Sequence, residues 1–196
     1  MLVSHETPIE ILDLSRSYND FDYALVHLFE THPEYYSFFK KSLVDGREVL
    51  LDNSIFELGE SFDSDKFADY VQELKPTYYV VPDVLDDGYA TIESYKKFTD
   101  KYTLPGLKIG VVQGNSYKEI VDCYKFMSDK CDYIAISFFL RWYQKVGYST
   151  SPGNKMILQR CSSGRQYLID RLISDGFWNH NKPHHLLGCS LATEFS

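Results

Sequence analysis

Lys108 to Asn115 reads KIGVVQGN, and this stretch decides the fold. Lys108–Val112, rich in β-branched residues, runs without clean polar alternation and stops at Gln113-Gly114-Asn115. A short apolar run bounded by turn residues is the pattern of a strand buried on both faces, hence of a parallel sheet. Ser116 and Glu119 follow at capping-box spacing, ahead of Ile120, Tyr124 and Met127 on one helical face. The unit is a strand, a polar turn and a helix.

The unit recurs in both directions. Glu48–Asp52 (EVLLD), Thr77–Val81 (TYYVV), Tyr133–Ser137 (YIAIS) and His185–Cys189 (HLLGC) are similar runs, and Ile9–Leu14 (IEILDL) is a weaker first strand. Between them, Phe67, Tyr70, Val71 and Leu74 form a helical stripe that Pro76 stops. Ile92, Tyr95, Phe98 and Tyr102 form the next. Phe21, Leu25, Leu28 and Phe29 predict an earlier helix, and Tyr35, Phe38, Phe39 and Leu43 another. Leu168, Ile169 and Leu172 predict a last one, closed by Gly176. Arg141–Gly164 is the least regular region and reads as a long, partly basic loop. Alternating strands and helices imply an α/β fold with right-handed parallel crossovers. No linker or low-complexity stretch divides residues 1–196, which read as one domain.

The chain has 196 residues, of which 44 % are hydrophobic, enough for a real core. A complete (β/α)8 barrel takes about 250 residues, so these residues suffice for about six strands. The formal net charge of −8 disfavours general polyanion binding. A nucleic-acid partner would need a local basic patch, for which Arg141, Lys145, Lys155, Arg160 and Arg165 are the candidates, although scattered basic residues are more often merely solvated. Cys123, Cys131, Cys161 and Cys189 lack ligand spacing and read as reduced, mostly buried thiols. No signal-peptide pattern opens the sequence and no apolar run is long enough to span a bilayer. The expectation is a soluble, cytoplasmic protein.

In parallel α/β folds chemistry gathers at the carboxyl ends of the strands. Those ends carry Asp52-Asn53-Ser54, Pro82-Asp83, Gln113-Gly114-Asn115, Ser137 and Ser190. Aspartates there also serve as caps for the next helix, and Asp86 and Asp87 read as such a helix start. As a set, two carboxylates and an amide suit the edge of a purine: ring and amino N–H groups toward Asp, a carbonyl toward Gln. Gly114 lets backbone come close, and Phe56 is placed to stack on a base. His184-His185 are neighbours on a strand and point to opposite faces, so a pair at a strand start is the favoured reading over metal ligation.

These residues resemble the tRNA-guanine transglycosylases and their relatives that insert 7-deazaguanines into DNA. Leu51-Asp52-Asn53-Ser54-Ile55-Phe56-Glu57 stands where that family has Asp-Ser-Gly-Gly-Phe-Gln. Pro82-Asp83 is similar to its base-reading aspartate. Gly110-Val111-Val112-Gln113-Gly114 is similar to its Gly-Ile-Val-Gln-Gly, and His185-Leu186-Leu187-Gly188-Cys189-Ser190 to its His-Leu-Leu-Gly-Val-Gly. Tyr133–Ser137 sits where a glycine-containing strand end contributes backbone contacts. The ordered set covers Glu48 to the end and looks closest to the short phage-type branch.

The resemblance implies a TIM-type (β/α) barrel, incomplete in this chain. It implies exchange of guanine in DNA or tRNA for a 7-deazaguanine such as preQ0 or preQ1, through a covalent glycosyl-enzyme. The locale would be the cytoplasm, that of the host if the protein is viral. Asp52 would be the acid/base carboxylate. Asp83, Gln113, Gly114, Phe56, Asn53, Ser54 and Ser137 would bind the base. The family's nucleophilic aspartate and zinc ligands lie on segments beyond Ser196, so no metal or other cofactor is expected here. A non-catalytic purine- or nucleic-acid-binding relative is the alternative. The departures are Ser54-Ile55 for Gly-Gly, Glu57 for Gln, and Asn115 for glycine. An unclosed sheet edge invites a homodimer or a second polypeptide.

Overall fold

A computed structural model describes residues 1–138, 143–144, 147–149 and 157–189. Six strands form one sheet: β1 (Asp22–Leu25), β2 (Val49–Asp52), β3 (Tyr78–Val80), β4 (Leu107–Val112), β5 (Tyr133–Ile136) and β6 (His184–Leu186). Their order is sequential, β1-β2-β3-β4-β5-β6. The registers of β1–β2, β2–β3, β3–β4 and β5–β6 are parallel. Sequential parallel order is that of a (β/α) barrel, here six strands of one, and not that of a doubly wound sheet.

The chain divides into two compact units, 1–82 with 95–109 and 83–94 with 110–196. The first holds β1 to β3 and the start of β4, with α1 (Leu12–Ser15), α2 (His27–Thr31), α3 (Pro33–Val44), α4 (Ile55–Leu58) and α5 (Ser64–Leu74). Helix α5 shows why such a segment folds. Asp63 accepts the Asp65 and Lys66 amides at 3.0 and 2.9 Å, satisfying two orphan donors. Phe67, Ala68, Val71 and Leu74 are buried on one face, each large one worth about 1.5–3 kcal/mol. Lys75, left-handed at φ +55°, ends the helix before Pro76. Phe29, Tyr35, Phe39 and Tyr70 add tilted and edge-on ring contacts.

The second unit holds the end of β4, then β5 and β6, with α7 (Tyr117–Lys130) and α8 (Ile157–Ser174). Helix α6 (Gly88–Lys101) and β4 run through both units. On α7, Ser116 accepts the Glu119 amide at 3.2 Å, and Ile120, Val121, Cys123, Tyr124 and Met127 are buried. A Cβ at Gly110 would lie 2.6 Å from the Cys131 sulfur and 2.7 Å from the Met127 sulfur. The glycine of the KIGVV run is therefore what lets β4 and α7 pack this closely. Arg165, fully buried on α8, donates to the carbonyls of Ile136 and Leu187, just at and past the ends of β5 and β6.

Four expectations need correction. Ile9–Leu14 is not a strand: Ile9–Ile11 is a 3₁₀ turn and Leu12 starts α1, with Ile11 and Leu14 exposed. The first strand is Asp22–Leu25, inside the segment expected to be helical, and the helix begins only at His27. The last strand is His184–Leu186, not His185–Cys189, and Gly188 turns away at φ +59°. The expected loop Arg141–Gly164 contains the first eight residues of α8, from Ile157. There Gly164 faces the buried Tyr143 ring, 2.6 Å from where a Cβ would stand.

The edge strand β1 is partly sealed from within. Its Asp22 amide bonds to Glu48, so the Leu25 amide points the other way. That amide donates to the Tyr35 hydroxyl at 3.0 Å. No helix among the described residues is long and apolar enough to cross a membrane.

Candidate functional site

In the first unit the site residues gather at the end of β2. Asp52 is buried at 7 % exposure. Its Oδ1 accepts the Ser54 amide at 2.7 Å and its Oδ2 accepts the Tyr23 hydroxyl at 2.8 Å. Asn53 donates from Nδ2 to the Val81 carbonyl at 3.1 Å and accepts the Ile55 amide at 3.1 Å. It ties the end of β2 to the end of β3. Two successive Asx turns, from Asp52 and Asn53, thus launch α4.

Ser54 adopts φ +60°, ψ 22°, and is fully buried. This is a left-handed backbone, which glycine adopts more readily than serine. Phe56 lies on α4 and is 69 % exposed.

Charge around Tyr23 is negative. Burial raises its hydroxyl far above the ordinary tyrosine range, and the charges of Asp52, Glu57 and Glu6 add to this. The phenol therefore stays protonated and remains a donor to Asp52. Burial and Glu57 raise Glu6, while burial lowers His27.

In the second unit, Asp83 and Gln113 meet directly. Gln113 Nε2 donates to Asp83 Oδ2 at 2.8 Å, and Gln113 Oε1 accepts the Asp86 amide at 3.2 Å. Both side chains are buried. The accepting Asp83 carboxylate on one side and the donating Asp86 amide on the other fix which way the Gln113 amide faces. Asp86 reaches this position through a left-handed backbone at φ +62°. Asp87 caps α6 by accepting the Ala90 amide at 2.8 Å, which is the helix-start role expected of it.

Glu119 fastens the same two loops a second time. Its Oε1 accepts the Gly88 amide at 2.6 Å and its Oε2 the Asn115 amide at 2.9 Å. The capping box legible in the sequence is thus also a bridge from the turn after β4 to the start of α6. Close approach explains the glycines: a Cβ on Gly88 would meet the Gln113 carbonyl at 2.5 Å, and one on Gly114 would meet Ile120 Cγ1 at 2.9 Å. Gly114 is therefore a packing requirement.

The other candidates are placed as follows. Ser137 is half-buried at the end of β5, and its carbonyl accepts the Tyr143 hydroxyl. Ser190, Arg141, Lys145 and Lys155 lie outside the described residues. Arg160 is half-buried on α8. Arg165 is no surface phosphate ligand, since it is buried and spent on backbone carbonyls. His184 stacks on Trp178 with centroids 3.7 Å apart. Cys123 is buried and its thiol pushed up to about 12, chiefly by burial, so it is no ready nucleophile. Among the described residues no group of three potential ligands could hold a metal ion. Sequence reasoning missed Tyr23 and the bridging role of Glu119. The chain matches no protein-family model and no curated protein.

Proposed function

We propose that the chain carries the base-recognition elements of a base-exchange glycosyltransferase, which replaces guanine in DNA or tRNA with a 7-deazaguanine such as preQ0 or preQ1. The observation that carries this reading is the buried carboxylate–amide pair of Asp83 and Gln113, just past the ends of β3 and β4. Parallel sheets bind ligands at such strand ends, and a fixed acceptor beside a fixed amide suits a purine edge. Within the second unit, Gly114 and Ser137 shape the backbone beside that pair. Within the first, Asp52 is the proton-handling carboxylate, Phe56 a stacking face, and Asn53 and Ser54 shape the turn that holds Asp52.

A second reading is a purine-binding relative without transfer, which keeps the Asp83–Gln113 pair and needs no residue to attack the sugar. Calorimetric titration with guanine and with a 7-deazaguanine tests what the two readings share. Asp83→Ala should weaken binding tenfold or more, because a lost partner for a buried N–H costs about 1–3 kcal/mol. Unchanged affinity, with the circular dichroism of the wild type retained, overturns both. Incorporation of labelled guanine into DNA or tRNA, assayed with the segment that carries the nucleophilic aspartate expected beyond residue 196, then separates them: exchange supports the transferase, and binding without exchange the second reading.

A further inference from the structure

The register of β1 against β2 pairs Leu25 with Asp52 and Tyr23 with Leu50. Residues two apart on a strand share a face, so Tyr23 and Asp52 lie on the same face of the sheet. They are offset by two residues, roughly 7 Å along the strands. A phenol is long enough to bridge that offset, and the Tyr23 hydroxyl donates to Asp52 Oδ2 at 2.8 Å. The Ser54 amide holds the other oxygen at 2.7 Å. Donors on both oxygens fix the plane of the carboxylate, and hydrogen bonds to the charged form favour it.

The phenol is suited to be a permanent donor. Buried beside the carboxylates of Asp52, Glu57 and Glu6, it cannot ionise in the working pH range. The other titratable groups around it are His27 on α2 and Tyr35 on α3. His27 accompanies Glu6, which it tends to hold in the charged form. None of the hydrogen bonds of these two groups supplies a donor to Asp52 Oδ2.

We infer that Tyr23 is a positioning residue for Asp52, fixing the orientation of its carboxylate and favouring its charged form. The consequence for turnover rests on the base-exchange reading above; the effect on Asp52 does not.

Tyr23→Phe keeps the ring and removes only the hydroxyl. The direct measurement is carbon-13 NMR titration of the Asp52 carboxyl, assigned by its loss in Asp52→Asn. The Asp52 midpoint should rise by roughly one pH unit in Tyr23→Phe, the scale of one lost charge-assisted bond. Fluorotyrosine at position 23, a more acidic donor, should move it the opposite way. In exchange assays kcat should fall about tenfold with KM unchanged, and the acid limb of the profile should follow the midpoint. Guanine affinity should not change, since Asp83 and Gln113 are untouched. A residue that merely packs would alter the melting temperature and leave the midpoint in place. Coincident Asp52 midpoints in wild type and Tyr23→Phe overturn the assignment. Absence of exchange in the wild type, with the nucleophile-bearing segment supplied, would count against the proposed function alone, and the NMR result would still decide the role of Tyr23.

Discussion

The Asp83 carboxylate accepts a hydrogen bond from the Gln113 side chain at 2.8 Å, with the two residues 2 % and 5 % exposed. A buried charge is tolerable only when donors surround it. Gln113 is therefore part of the reason that Asp83 can be an aspartate at all. The Asp86 amide on Gln113 Oε1 prevents the amide from turning its oxygen toward the carboxylate.

Gln113→Leu should cost about 1.5–3 kcal/mol, the range for a hydrogen bond to a charged group. Gln113→Glu should be worse at pH 7, because two carboxylates would then stand side by side. That pair would keep a proton in the folded state above the unfolded carboxylate range. Its raised folded pKa means that stability is present at acid pH and lost as pH rises. Urea unfolding at pH 7 and pH 5 should show Gln113→Glu recovering at the lower pH and Gln113→Leu not doing so. Equal deficits at both pH values would contradict the pairing.

The strands β2 to β5 were legible because burial on both faces leaves unbroken apolar runs. β1 was not, for a physical reason. Asp22 is a buried strand residue, held by Arg47 at 2.8 and 2.9 Å, and its charge interrupts the run. Phe21, Leu25, Leu28 and Phe29 meanwhile fall at helical spacing across a strand and the helix after it. The start of α8 was hidden because Ser162, Ser163 and Gly164 look like loop residues, and only the buried Tyr143 ring explains the glycine. Asp52, Asp83 and Gln113 could be picked out by their place at strand ends. Tyr23 could not, since it is one of 16 tyrosines and its partner lies 29 residues away.

Ser54 gives a local test of the same site. Its left-handed backbone, φ +60°, costs a non-glycine residue about 1–2 kcal/mol. Glycine would relieve that, while freeing the unfolded chain by about 0.5–1 kcal/mol and losing the long 3.4 Å bond from the His27 amide. Ser54→Gly should thus be close to neutral in urea unfolding. Ser54→Val should destabilise by 2 kcal/mol or more, because a β-branched residue resists positive φ and this position is fully buried. A Val variant as stable as wild type would show that the turn is not held in this conformation.

The histidines at β6 add to the acid sensitivity of the fold. The Tyr124 hydroxyl accepts the Asn179 amide at 2.9 Å and lies 2.8 Å from His184 Nε2. With His184 neutral and hydrogen-bonded to the Lys182 backbone, the tautomer with a bare Nε2 accepts the Tyr124 hydroxyl. Burial is the main cause pushing it down to about 4, and burial followed by the charge of Arg165 does the same to His185. In the unfolded chain both titrate near 6.5. Between about pH 6.5 and pH 4 the unfolded state binds more protons, so stability is full above that window and falls as pH drops through it. His27, also lowered by burial, adds to the decline in this window, and Glu6, raised by burial and Glu57, opposes it. The carboxylates of Glu34, Glu73, Asp122 and Asp129, all lowered chiefly by hydrogen bonds, act mainly at lower pH. Urea midpoints should therefore decline steadily from pH 7 to pH 4.5. His184→Phe preserves the stack between Tyr124 and Trp178 but cannot titrate. It should lose about 1 kcal/mol at pH 7, for the hydroxyl's lost acceptor, and show a shallower decline on acidification. His185→Leu should flatten the decline further. A slope unchanged in both variants would mean that the acid sensitivity arises elsewhere.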